Sequence, residues 1–177
     1  NSIIAETLDL YNHAFGSTFG GLNSTMARNL FANNVARNPS VGMWGDLAFV
    51  NNVLFNWWNR TLDGGDYRSM WNLINNYYKP GPVTPRNSPV GHRFVKPESG
   101  RSTLDRYEFD RVYCNGNIME GNEKVTKDNW AGGVQIQSQS DTEGYTALMK
   151  WDEPFPMPIF PIMTAEKAYE YVLENVG

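Results

Sequence analysis

Along the chain, short apolar pairs follow asparagines and are framed by polar turns. They read Asn1-Ser2-Ile3-Ile4, Asn29-Leu30-Phe31, Asn52-Val53-Leu54, Asn76-Tyr77-Tyr78 and Asn117-Ile118-Met119. The middle three are 23 and 24 residues apart, with intervals of 28 and 41 on either side. No helical period lies between them. A repeat of this length marks a supersecondary unit that buries its apolar face only by stacking on its neighbours. One repeat is then one coil of a parallel β-solenoid. An asparagine amide has two donors and a carbonyl acceptor, so asparagines at one level of successive coils can hydrogen-bond up the stack. The pattern predicts an all-β, right-handed parallel β-helix with Leu30-Phe31, Val53-Leu54 and Tyr77-Tyr78 stacked and Asn29, Asn52 and Asn76 aligned.

The strongest strand signal is Asp46 to Trp58, and Met70 to Tyr78 is a further coil closed by Lys79-Pro80-Gly81-Pro82. Asn59 to Arg68 reads as a polar loop. Three prolines between Val83 and Arg106 suggest an extended excursion over the surface, and Phe109 to Glu120 a return to the coil. Gly132 to Pro161 is loop-rich. Thr164 can N-cap a helix whose apolar residues Ala165, Ala168, Tyr169, Val172, Leu173 and Val176 follow helical spacing. The chain thus reads as one domain: coils over 1–82, long loops and a further coil over 83–163, and a C-terminal helix over 164–176.

Composition changes this picture little. The 177 residues are 41% hydrophobic and 14% aromatic, enough for a packed core. Trp44, Trp57, Trp58, Trp71, Tyr77 and Tyr78 stand at strand spacing, which makes most of them core, with one or two at most free to stack on a sugar. No run approaches the length of a membrane span. The net charge of −4 lacks the basic stripe of a nucleic-acid binder. The lone Cys114 excludes an internal disulfide and any cysteine-rich metal site. No cap for an open solenoid end is visible before Asn1, so a preceding portion of the same protein is an expected partner.

Candidate chemistry is sparse. His13 and His92 are the only histidines, and no Gly-x-Ser-x-Gly elbow accompanies them. Asp63-Gly64-Gly65-Asp66 could serve calcium, but two acids are few for that task, and a turn is the simpler reading. Paired carboxylates of glycosidase type would have to come from Glu6, Asp9, Asp46, Asp63 and Asp66. Arg37-Asn38-Pro39 forms a stiff corner, because proline fixes its own φ and restricts the residue before it.

Two segments carry a resemblance. Phe31-Ala32-Asn33-Asn34-Val35-Ala36-Arg37-Asn38-Pro39 and the following Phe49-Val50-Asn51-Asn52-Val53-Leu54-Phe55-Asn56-Trp57 resemble the pectate lyases of polysaccharide lyase family 1, with their Arg-x-Pro corner and Asn-Asn strand. Ser2 to Leu8, Asn75 to Pro82 and Val112 to Trp130 extend the likeness over most of the chain. The resemblance implies a secreted enzyme, extracellular or periplasmic, that cleaves polygalacturonate or pectin by calcium-dependent β-elimination. By match, Arg37 is the catalytic base, His13 and Arg60 are substrate-binding candidates, and no metal ligand is assigned in this chain. The calcium carboxylates of the family lie upstream of Asn1, in the portion that precedes it. A guanidine base is costly to form and needs a crowded cationic cleft; a charged Arg37 could instead stabilise developing negative charge. Two positions depart from the family pattern. Gly42 stands where many members carry a second arginine, and His13 stands where a lysine is usual. A non-catalytic pectin-binding β-helix, or a β-helix glycan hydrolase, are the alternatives.

Overall fold

The computed structural model describes residues 1–9, 11, 13–42, 45–64, 69–97, 110–136 and 142–177. The strands fall into three parallel sheets and visit them in fixed rotation. The first sheet holds β1 (Ile3–Ala5), β4 (Leu30–Ala32), β7 (Val53–Phe55), β10 (Tyr77–Lys79) and β13 (Ile118–Met119). The second holds β2 (Thr18–Phe19), β5 (Ser40–Val41), β8 (Leu62–Gly64) and β11 (Val95–Pro97). The third holds β3 (Asn23–Ala27), β6 (Asp46–Val50), β9 (Met70–Ile74) and β12 (Arg111–Asn115). Each turn of chain gives one strand to each sheet, the architecture of a parallel β-helix.

The expected stacking is present: Leu30 pairs with Val53 and Val53 with Tyr77, and Phe31, Leu54 and Tyr78 follow in register. The asparagine ladder is present too. Asn52 Oδ1 accepts from the backbone N and Nδ2 of Asn29, both at 3.0 Å. Asn76 Oδ1 accepts likewise from Asn52 at 2.8 and 3.1 Å, and Asn117 Oδ1 from Asn76 at 2.9 and 2.8 Å. The ladder ends on Asn129, whose Oδ1 takes the same pair of bonds from Asn117. At the other end the repeat is one residue off. Leu30 N donates to Ser2 O, as Val53 N does to Asn29 O, so Ser2 and not Asn1 stands at the ladder level.

A conformational column explains why two asparagines come together at this corner. Arg28, Asn51, Asn75 and Gly116, each just before a ladder residue, have φ of 60°, 56°, 51° and 70°. Asparagine and glycine reach this left-handed region at least cost, which turns the chain out of the third sheet and into the first. The Asp46 to Trp58 run is therefore two strands broken at Asn51-Asn52. Arg28 departs from the rule and is held from outside: Nη2 donates to Pro161 O at 2.8 Å, and the guanidinium lies 5.5 Å from the Tyr171 ring centroid.

Inside the coils lie Phe31, Phe49, Leu54, Trp57, Leu62, Trp71, Leu73, Tyr78 and Phe94, all buried. Trp57 meets Tyr78 edge-on at 6.2 Å, and Tyr78 meets Phe94 at 4.7 Å. Trp58 is exposed and Trp44 lies outside the described residues.

Three stretches differ from expectation. The polar loop after Asn59 contains β8, too short and acidic to read as a strand. The excursion after Val83 contains β11, which tolerates Pro97 because it is the edge strand of its sheet. The loop-rich region after Gly132 contains α2 (Thr142–Met149). A short helix, α1 (Glu123–Lys127), precedes the ladder's terminal Asn129. The C-terminal helix α3 (Ala165–Asn175) forms as its spacing predicts, with Thr164 Oγ1 accepting from Lys167 N at 3.3 Å. It buries Ala165, Ala168 and Val172 and stacks Tyr169 on Tyr77 at 4.5 Å. The tail leading to it is gripped by asparagine side chains that imitate a strand partner. Asn72 exchanges two 2.9 Å bonds with the backbone of Phe155, and Asn51 exchanges two with Met163 at 2.8 and 2.9 Å.

Candidate active site

The second sheet carries the polar residues of interest on one register. Thr18 pairs with Ser40, Ser40 with Asp63, and Asp63 with Lys96. Three residues before the last three of these stand Arg37, Arg60 and Arg93. The coils thus bring three arginines to one corner of successive turns.

Arg37 sits at φ 57°, a left-handed conformation unusual for a long side chain, and the Asn38–Pro39 peptide is cis. Neighbouring coils fix that conformation from both sides. Ser17 N donates to Arg37 O at 3.0 Å, and Asn38 N to Thr61 O at 3.0 Å. Gly16 is required below it, since a Cβ there would stand 2.7 Å from Arg37 O. The guanidinium lies 4.4 Å from the Phe15 ring centroid and donates through Nη1 to Thr18 Oγ1 at 3.3 Å. A cation over an aromatic face at a half-exposed site gains about 1 kcal/mol, enough to bias the rotamer while leaving the other donors free.

His13 belongs to the same cluster. Its ring centroid is 4.4 Å from that of Phe15, so Phe15 joins His13 to Arg37. Arg60 occupies the next coil and pairs with the buried Asp63 carboxylate, Nη1 to Oδ2 at 2.7 Å. Ser40 also donates to Asp63 through a short hydrogen bond. Asp63 is therefore the counter-charge of Arg60 and not half of a catalytic carboxylate pair. The Asp63–Asp66 stretch, read as a turn in preference to a calcium loop, has its first two residues inside β8, while Gly65 and Asp66 lie outside the described residues. Arg93 is more enclosed, and its Nε donates to Gln135 Oε1 at 2.7 Å. Burial, then the Arg60 charge, lowers its proton affinity below the ordinary arginine value.

A buried amide chain ties these coils together. Asn34 Nδ2 donates to Asn38 Oδ1 at 3.0 Å, and Asn38 Nδ2 to Arg60 O at 3.0 Å. Asn38 thus connects the backbone beside Arg37 to the backbone of Arg60. Gly42, in the place of a second arginine, follows β5 and donates its N–H to Phe19 O at 3.1 Å. Among the described residues no group of three or more His, Cys, Asp or Glu side chains could hold a metal ion. Asp63 itself is already engaged by Arg60 and Ser40.

Seven known proteins match the chain, and the match spans all of it in most cases. "Probable pectate lyase C" of Aspergillus flavus is 40% identical over 188 residues, that of Neosartorya fischeri 39% over 187, and that of Emericella nidulans 32% over 188. By sequence, the chain is related to these probable pectate lyases. It spans about 38% of the length of the A. flavus and N. fischeri proteins. No family model matches the chain.

Of the residues that the sequence of this pectate lyase relative nominates, Arg37, His13 and Arg60 come to one side of the solenoid. His92 stands apart from the His13–Phe15–Arg37 cluster, its proton affinity lowered by burial and by Arg93 and Lys124. Phe15, Thr18, Asn38 and Arg93 escaped notice. A signal for Arg93 was available: Arg37-x-x-Ser40, Arg60-x-x-Asp63 and Arg93-x-x-Lys96 repeat one pattern, an arginine three residues before a polar strand residue.

Proposed function

We propose that the protein containing this chain cleaves polygalacturonate by β-elimination, with Arg37 as the base and Arg60 and His13 holding the polyanion. What carries the reading is Arg37 itself, fixed in a left-handed corner over Phe15 with an arginine at the same level of the next coil, in a chain whose relatives are named probable pectate lyases. In the reaction the base removes the proton from C5 of a uronate ring. The released electron pair forms the C4–C5 double bond, and the C4–O4 bond breaks. The leaving oxygen then gains a proton from solvent. Binding energy from Arg60 on a neighbouring carboxylate holds the ring while Arg37 approaches C5.

The reading extends to partners. The first coil leaves Ile3, Leu8, Tyr11 and Leu22 between 50% and 93% exposed, and β1, β2 and β3 are each the last strand of their sheet. We take a further coil of the same protein to cover this end, as the greater length of the relatives supports, and activity to require it. The elimination is taken to depend on calcium, held by carboxylates outside the residues described. A polygalacturonate substrate also implies a secreted protein, and no helix among the described residues is long and apolar enough to cross a membrane.

Gly42 and His13, standing where basic residues are expected, favour the second reading, a non-catalytic uronan-binding solenoid. One assay separates the two. The intact protein is incubated with polygalacturonate, with calcium and with a chelator. Elimination yields an unsaturated uronide absorbing in the near ultraviolet. New reducing ends without that chromophore mean hydrolysis, and retained binding without either product means the non-catalytic solenoid.

A further inference from the structure

Beyond the last coil a cavity of about 280 Å³ opens between β12 and the segments that follow α1 and α2. Its walls include Trp151, Trp130, Lys127, Lys150, Asp128 and Asp152. Trp151 is the feature that calls for a ligand. Its backbone N–H donates to Val112 O at 3.0 Å, extending the edge of the third sheet by one bridge at Lys150. Its ring stacks on Phe155 with centroids 5.6 Å apart and planes 24° from parallel. The Phe155 backbone in turn is gripped by both ends of the Asn72 side-chain amide. The indole is thus held on a fixed support, yet 46% of Trp151 stays exposed. An oriented, exposed aromatic offers a large contact area with little ordering entropy left to lose on binding.

The charges around it differ in kind from those of the arginine corner. Lys127 and Lys150 are balanced by Asp128 and Asp152, so the cavity carries no net charge. Lys150 Nζ lies 5.6 Å from the Trp130 ring centroid, and Asp128 Oδ1 accepts from Trp130 N at 3.0 Å. A polyuronate entering here would meet two carboxylates with its own. A hydroxyl-rich neutral ring could instead donate to the aspartates, accept from the lysines and lay its C–H face on an indole.

We propose that this cavity binds neutral pyranose oligosaccharides, apart from the uronate groove and independently of any chemistry at Arg37. The test titrates the intact protein with galactotetraose, cellotetraose and xylotetraose, and separately with tetragalacturonate, by calorimetry and tryptophan fluorescence. At least one neutral tetraose should bind saturably. Trp151→Ala should weaken it tenfold or more, Trp151→Phe should weaken it less, and Arg37→Lys should leave it unchanged. Tetragalacturonate should bind Trp151→Ala as it binds the unaltered protein and should not compete for the site. Circular dichroism establishes that both tryptophan variants are folded, and if Trp151→Ala is not, the comparison with Trp151→Phe decides. Failure of all three neutral sugars to bind, equal binding by the folded tryptophan variants, or displacement by tetragalacturonate would overturn the proposal.

Discussion

Two files of identical side chains climb this solenoid, and they behave oppositely. Asn29, Asn52, Asn76 and Asn117 lie at one corner, and Arg37, Arg60 and Arg93 at another. An asparagine both donates and accepts, so each rung satisfies the next and the file closes on itself, with Asn129 as its end. An arginine only donates. Stacking arginines adds repulsion, and the file needs acceptors from elsewhere. The protein supplies Asp63 for Arg60 and Gln135 for Arg93. Arg37 has the Thr18 hydroxyl and the face of Phe15. A self-satisfied file stabilises a fold, whereas a file short of anions is suited to binding a polyanion.

The sharpest way to break this contrast is at Arg37. Arg37→Lys keeps the positive charge but loses the planar fork, and elimination on polygalacturonate should fall by roughly 10²–10³-fold while substrate affinity changes much less. A proportional loss of both, measured as kcat and as binding of tetragalacturonate, would make Arg37 a binding residue only.

The internal counter-charge comes next. Asp63→Ala leaves Arg60 facing Arg93 without its carboxylate and should cost about 3 kcal/mol in denaturant unfolding. Uronate affinity should rise in the same variant, because Asp63 no longer competes with the ligand for Arg60. Unchanged stability would mean that the arginine file does not need Asp63.

In the other file, Asn52→Ala removes the acceptor for both Asn29 donors and the donor to Asn76 Oδ1 and Met26 O. The expected loss is about 2 kcal/mol, read as a lowered urea midpoint with unchanged slope. Asn59→Ala serves as the control, since Asn59 is exposed and its backbone is outside the left-handed region. It should shift the midpoint by less than about 0.5 kcal/mol.

A smaller effect lies on the first sheet, where Lys79 Nζ meets Glu120 at 2.9 and 2.7 Å and the Tyr77 hydroxyl donates to it at 3.0 Å. Burial alone would push the Glu120 carboxyl up, but Lys79 and Tyr77 overcome it and hold it below the ordinary range. The bond to Glu120 raises Lys79, and burial, then Glu120, pushes Tyr77 up to about 12. Stability from Glu120 is therefore present above the ordinary carboxylate range and lost as pH falls through its lowered folded value. That from Lys79 is present below the ordinary lysine value and lost as pH rises through its raised one. Both partners are about one-third exposed, so the pair is worth under about 1 kcal/mol. Glu120→Gln should flatten the acid side of the stability profile by no more than that, as measured by urea unfolding between pH 3 and 7.

The fold was legible because its repeat is written in residue types. Asparagine suits both the left-handed turn before the ladder and the ladder itself, so Asn51-Asn52 and Asn75-Asn76 announce the corner without any structure. The helix at Thr164 was legible for a similarly local reason, since capping and helical spacing lie within one short segment. Strands β8 and β11 were not. They contain three residues each and form because the neighbouring coils already hold their register, a nonlocal cause with no local pattern.

The candidate site divides the same way. Arg37 stood out by its motif, with His13 and Arg60 beside it as substrate-binding candidates. That Phe15 joins His13 to Arg37, and that Asn38 ties the Arg37 corner to the Arg60 backbone, was decided only by stacking. So was the fate of Asp63, which the sequence offers as a free carboxylate: Arg60 of its own coil and Ser40 of the preceding one make it a buried counter-ion. Which residues lie near one another along the chain follows from composition and spacing. That Lys79 meets Glu120, or Ser40 meets Asp63, depends on the register between coils about 4.8 Å apart, and only the assembled sheets set that register.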